Sequence, residues 1–126
     1  MLISRETTAP NSIRAWEAGR VRIGENWFNG HLIVSADQIV REWSPTNPSR
    51  PTISDLAPAL ALEPEIVVIG IAAESPVPDI ELMIELGGRS IGLEQMTLSA
   101  ACRTFNVLVQ ENRRVVAVLC HPPGET

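Results

Sequence analysis

The side chains that could do chemistry in this sequence are few and scattered. Its only histidines are His31 and His121, and its only cysteines are Cys102 and Cys120. Neither histidine stands at nucleophile-elbow or metal-ligand spacing, so each reads as a surface or structural residue, and no catalytic triad assembles. Neither cysteine has a second thiol or an imidazole at ligand spacing, which argues against a metal site and for free, buried, reduced thiols. Redox sensing through Cys102 is the weaker alternative. Every one of the 10 basic residues is arginine, and tyrosine is absent. Schiff-base chemistry, a phosphate-loop lysine and phenolic acid–base catalysis are therefore excluded. The stretch Gly87-Gly88-Arg89-Ser90-Ile91-Gly92 follows a helical pattern instead of a strand, so it reads as a helix stop and not as a dinucleotide fingerprint.

Polar groups could converge in one place. A parallel β-α-β unit collects ligands beyond the carboxyl ends of its strands, where loops meet helix N-termini. Here that rule marks a crevice between the loop after Gly70 and the start of the last helix. Its expected residues are Gly70, Ile71, Ala72, Ser75, Met96, Thr97, Arg103, Thr104 and Asn106, with Glu74 and Ser99 beside them. An arginine beside a helix N-terminus suits a carboxylate or phosphate. Each residue also has a plainer reading. Thr97 or Ser99 caps the helix, Arg103 is solvated or pairs with Glu94 or Glu111, and Gly70 allows a tight strand exit. Asn106, a poor helix former, either faces water or makes a specific bond. No catalytic residue, metal or cofactor is assigned.

The elements that would position this crevice follow from hydrophobic spacing. Ile13–Trp16 and Arg20–Ile23, separated by Gly19, read as a hairpin with one wet face. Trp27–Ser35 reads as a strand from its β-branched content, whereas Asp37–Trp43 fits either a strand or a short helix. Ser44–Pro51 is a breaker-rich loop. Ser54 is the expected N-cap of a helix from Asp55 to Leu62 with Pro58 in its first turn. Ile66–Ile69 and Val115–Cys120 are wholly apolar, the mark of central strands buried on both faces. Between them lie a helix over Asp79–Leu86, whose Ile80, Met83 and Ile84 recur at helical spacing with Leu86 as a further candidate, and extended structure over Ser90–Leu93. A long amphipathic helix then runs from Leu98 to Asn112, closed by Arg113 and Arg114. Trp16, Trp27 and Trp43 should anchor either the core or an exposed patch that marks a protein partner.

A chain of 126 residues, 44% hydrophobic and 20% charged, suits one globular domain over 1–126. Residues 1–12 are expected to be loosely held, and 122–126 to form a disordered tail. A net charge of -5 argues against nucleic acid and anionic lipid. No apolar run reaches membrane-span length and no signal pattern opens the chain, so the expectation is a soluble cytoplasmic protein.

The C-terminal half resembles a known family. The residues that carry the likeness are Leu62-Glu63-Pro64-Glu65 before Ile66–Gly70, Glu94-Gln95-Met96-Thr97, Ala101-Cys102-Arg103-Thr104-Phe105-Asn106-Val107-Leu108 and the closing Pro122-Pro123. Trp16, Gly24, Ile39-Val40 and Trp43 extend it more loosely from Ile13 onward. They resemble domain of unknown function 498, the family of mitochondrial complex I assembly factor 3 and the adipogenesis-associated protein. The resemblance implies an α/β fold: a single three-layer domain with a central mixed sheet of about five strands, packed helices and an extra N-terminal β-hairpin. It also implies no established activity or cofactor, and action through a protein partner, as in an assembly factor, with homodimerisation left open. The alternative is a small-molecule or anion-binding enzyme using the crevice. Relatives often carry Gly-Thr-Gly after the buried strand, whereas this chain has Gly70-Ile71-Ala72, which argues against an anion cradle of that kind.

Overall fold

The computed structural model describes residues 10–73 and 76–120. Residues 1–9, Glu74, Ser75 and 121–126 lie outside them, so the expectations for the first nine residues, for the tail, for Ser75 and for His121 fall there too; within the expected loose segment Asn11 donates to the Ala36 and Ser35 carbonyls.

The two apolar runs become adjacent parallel strands. In the five-stranded sheet, ordered β5-β4-β8-β6-β7, β6 (Ile66–Ile71) lies between β8 (Val115–Cys120) and β7 (Gly92–Thr97) and is parallel to both. β4 (Leu32–Ser35) joins β8 antiparallel, and the two-residue β5 (Ile39–Val40) closes that side, so the sheet is mixed. A separate antiparallel sheet holds β1 (Ile13–Glu17), β2 (Arg20–Ile23) and β3 (Asn26–Asn29). Among the described residues three helices, α1 (Ala57–Leu60), α2 (Ile80–Gly87) and α3 (Leu98–Gln110), accompany the sheets.

Side chains alternate across β6 and β8, so their uniformly apolar sequences feed two cores. On one face Val68, Ala117, Leu119, Leu32 and Val34 pack with Ala101, Cys102, Phe105 and Val109 of α3 and with Ile13, Val21 and Ile23 of the small sheet. On the other, Val67, Ile69, Ile71, Val116, Val118 and Cys120 meet Trp43, Leu56, Ala59, Leu82 and Leu86. The central sheet therefore separates the two free cysteines, which rules out a bridge between them. Burial pushes both thiols up to about 12. Such thiols are protonated near neutrality and Cys102 is fully buried, which argues against redox sensing there.

Several expected boundaries move. The run Trp27–Ser35 is broken into β3 and β4 at Gly30, whose φ of 80° only glycine takes without strain. The first helix shrinks to Ala57–Leu60, and its N-cap is Leu56, without a side-chain bond; Ser54 accepts a bond from the Ala57 amide only through its own carbonyl. Asp55 instead binds the Thr46 and Thr52 amides and ties the breaker loop down. The extended segment expected at Ser90–Leu93 starts at Gly92 and continues to Thr97, because Ser90 adopts a left-handed φ of 62° that ends the turn after α2. α3 ends at Gln110, where the Arg113 amide closes it by donating to the Leu108 carbonyl after left-handed Asn112, while the Arg113 and Arg114 side chains reach back to Glu65 and to the Glu63 carbonyl.

Candidate functional site

The crevice forms because β7 runs straight into α3. Thr97 is both the last residue of the strand and the N-cap of the helix, its Oγ1 accepting from the Ala100 amide at 3.3 Å. That junction sets the first turns of α3 on β6 at Gly70. A Cβ there would stand 2.7 Å from the Ala101 Cβ and 3.3 Å from the Leu98 Cα. Gly70 is thus a point of close helix–strand packing within β6, paired with Met96 and Leu119, and not the strand exit.

Beyond it lies a hollow of about 330 Å³, lined by Ile71, Ala72 and Ala73 after β6, by Thr97, Leu98 and Ser99 at the start of α3, and by Trp16, Glu17, Ala18 and Val21 from the hairpin. Of the expected crevice residues, Ile71, Ala72 and Thr97 line it. Met96 and Thr104 do not; they face each other, the Thr104 hydroxyl meeting the Met96 sulfur at 3.3 Å. Arg103 is exposed, with its guanidinium carbon 5.9 Å from the centre of the Trp16 ring. Asn106 is a fastener. Its side chain accepts from the Ile13 amide at 2.8 Å and donates to the Ile13 carbonyl at 2.9 Å, continuing β1's hydrogen bonding onto α3. The hairpin wall was missed because nothing local in the sequence ties Trp16 to Leu98.

The hollow is chemically quiet. Among the described residues its one charged lining residue, Glu17, pairs with Arg20. Among the described residues no three His, Cys, Asp or Glu side chains cluster to hold a metal ion. His31 stacks edge-on to Trp43 with ring centres 6.1 Å apart, and burial lowers its pKa, so it is neutral at physiological pH. Trp43 is a core anchor whose Nε1 donates to the Asp55 carbonyl at 2.8 Å, whereas Trp27 is exposed beneath Arg20.

A second surface feature lies on α2. Its N-cap Asp79 accepts from the Leu82 amide and pairs with Arg50 at 3.2 Å; the amide bond, then the guanidinium, hold its carboxyl below the usual range. The helix buries only Leu82 and Leu86. Ile80, Met83 and Ile84, whose spacing suggested a core stripe, are instead 59%, 41% and 70% exposed, and Val77 just before them is 81% exposed. The helix is apolar on more sides than the sheet can cover.

Comparison with known proteins agrees with this architecture. The chain is 30% identical over 113 residues to the "13 kDa major membrane protein" of Francisella tularensis, covering 88% of this chain and 91% of that one. It is 29% identical over 125 residues to "NADH dehydrogenase (ubiquinone) 1 alpha subcomplex assembly factor 3" of Danio rerio, covering 98% and 71%. A solved structure described as "an outer membrane protein from the Bartonella henselae" superposes with a TM-score of 0.74 at 31% identity, covering 89% of this chain and 95% of that one. Two relatives named as membrane proteins overturn the cytoplasmic expectation, which rested on the lack of a long apolar run. No helix among the described residues is long and apolar enough to cross a membrane, but that excludes only one kind of attachment. A family described as "Protein of unknown function (DUF498/DUF598)" matches residues 13–120, and the chain belongs to it.

Proposed function

We propose that this chain is a non-enzymatic protein-binding domain that helps assemble or stabilise a partner complex. The observation that carries the reading is the outward apolar face of α2. Val77, Ile80, Met83 and Ile84 lie within eight consecutive residues, and contiguous exposed aliphatic groups of this kind mark interaction sites. Covering one isoleucine completely stabilises a complex by roughly 1.5–3 kcal/mol, so two or three such residues supply a useful share of a specific interface. The relative named as an assembly factor supports the same reading, and relatives named as membrane proteins are consistent with a partner complex held at a membrane. The test is purification of the tagged full-length chain from soluble and membrane fractions of its own cells. A stoichiometric partner is expected with the native chain and not with the Ile80→Ser/Ile84→Ser variant. Recovery of no stoichiometric partner from either fraction contradicts the proposal.

A second reading rests on the 330 Å³ hollow, which is at the small end of ligand sites. Its lining favours a small apolar molecule over an anion, because among the described residues the only charge in it is a carboxylate. Thermal-shift screening separates the two readings. A ligand at about 100 times its dissociation constant adds ~2.7 kcal/mol to stability, and unchanged melting across apolar and anionic fragments removes the enzyme-like alternative.

A further inference from the structure

The central sheet has two unequal edges. On one side β5 offers two residues, too few to template another strand; on the other, β7 offers six, Gly92–Thr97, with no proline. Among the described residues no strand pairs with the outer edge of β7. Within the described chain its outward N–H and C=O groups have no strand partner and can pair with an added chain. A single charge, Glu94, guards the strand, and it is exposed.

The two sides of this edge differ in chemistry. Leu93 points to the α2 side, where it is buried with Leu82 and Leu86, and Gln95 accepts from the Asp79 amide on the same side. Glu94 and Met96 alternate to the opposite side, where Met96 meets Thr104 of α3. α2 lies over β7, and its orientation about its own axis is fixed. Glu81 and Glu85 share a hollow with Arg50–Ile53, toward the interior of the sheet. At 100° per residue Met83 lies on the flank opposite those glutamates, and Ile80 and Ile84 lie on top. The apolar residues therefore border the open edge on the α2 side, and a carboxylate borders it on the α3 side.

We infer that this edge is a docking shelf for an extended segment of a partner protein whose side chains alternate apolar and basic. This inference rests on the protein-binding reading and names the kind of segment bound. Backbone pairing with β7 supplies the ladder. Alternate side chains then fall on Met83 and Ile80, and those between them meet Glu94. A second copy is disfavoured, because antiparallel pairing of β7 with itself brings two Glu94 carboxylates together across the pair. Anionic lipid meets the same carboxylate and has no use for an open backbone edge.

The experiment is selection of short random displayed peptides on the immobilised full-length chain, followed by amide exchange with a synthetic copy of the enriched peptide. Peptides alternating apolar residues with Arg or Lys are expected, slowing exchange of the outward amides of residues 92–97. Affinity should fall by about tenfold or more in Ile80→Ser/Ile84→Ser, and Glu94→Arg should turn the preference toward acidic peptides. Enrichment of peptides with helical spacing that slow α2 alone, yet still depend on Ile80 and Ile84, overturns strand addition and leaves the protein-binding reading intact. No enrichment, or binding indifferent to those isoleucines, overturns both. Recruitment to phosphatidylglycerol vesicles that the double substitution abolishes assigns the face to lipid and overturns the inference as well.

Discussion

α3 and α2 cover opposite faces of one sheet and are built to different ends. α3 buries Ala101, Cys102, Phe105 and Val109 in a continuous stripe, packs tightly on Gly70, and is fastened to β1 through Asn106. α2 buries two leucines, is held at its first turn by Asp79, and turns its isoleucines outward. The contrast separates packing from recognition: one helix completes the fold, and the other leaves unspent the apolar surface that a partner could use.

Substitutions should respect that division. Gly70→Val puts branched carbons where α3 already touches β6, and overpacking at a rigid backbone contact is expected to cost about 3 kcal/mol, read as a lower urea midpoint. Asn106→Ala removes two bonds to Ile13 and leaves a partly buried amide unpartnered, a loss of about 2 kcal/mol, with amide exchange at Ile13 quickened ahead of the core strands. On α2, Asp79→Ala should cost about 1 kcal/mol, the usual value of a lost N-cap. The folded pKa of Asp79 is depressed, so its contribution is complete above the unfolded aspartate value, is lost as pH falls below that value through the folded one, and is gone beneath both. The Asp79→Asn variant should therefore show a shallower acid loss of stability in that window. Ile80→Ser/Ile84→Ser should change stability least, by no more than about 0.5 kcal/mol, as surface positions do.

What the sequence made legible follows the same line. β6, β8 and α3 could be read directly because burial on both faces leaves no polar residue in Val67–Ile69 or Val115–Cys120, and a single buried stripe leaves a 3.6-residue period in α3. The break between β3 and β4 is marked in the sequence by the turn pair Asn29-Gly30, which the strand-favouring Trp27, Phe28 and Leu32–Val34 on either side outweigh when the run is read as one strand. α2 misled for a physical reason. Its spacing of Ile80, Met83 and Ile84 is that of a core stripe; Leu86, the further candidate of that spacing, is buried, and only tertiary context decides that Leu82 joins it while the other three stay exposed. In the crevice Thr97, Ile71 and Ala72 were found by topology. The roles of Trp16 and Asn106 depend on contacts across some eighty to ninety residues of chain, which no local pattern encodes.

The central claim is that α2, and not α3, presents the partner-binding face. Site-specific photo-crosslinking in native cells compares them directly, with a benzophenone side chain placed at Ile84 in one variant and at Gln110, an exposed position on α3, in another. One discrete crosslinked protein is expected at Ile84 and none at Gln110. Equal products at both positions, or a product at Gln110 alone, would contradict it.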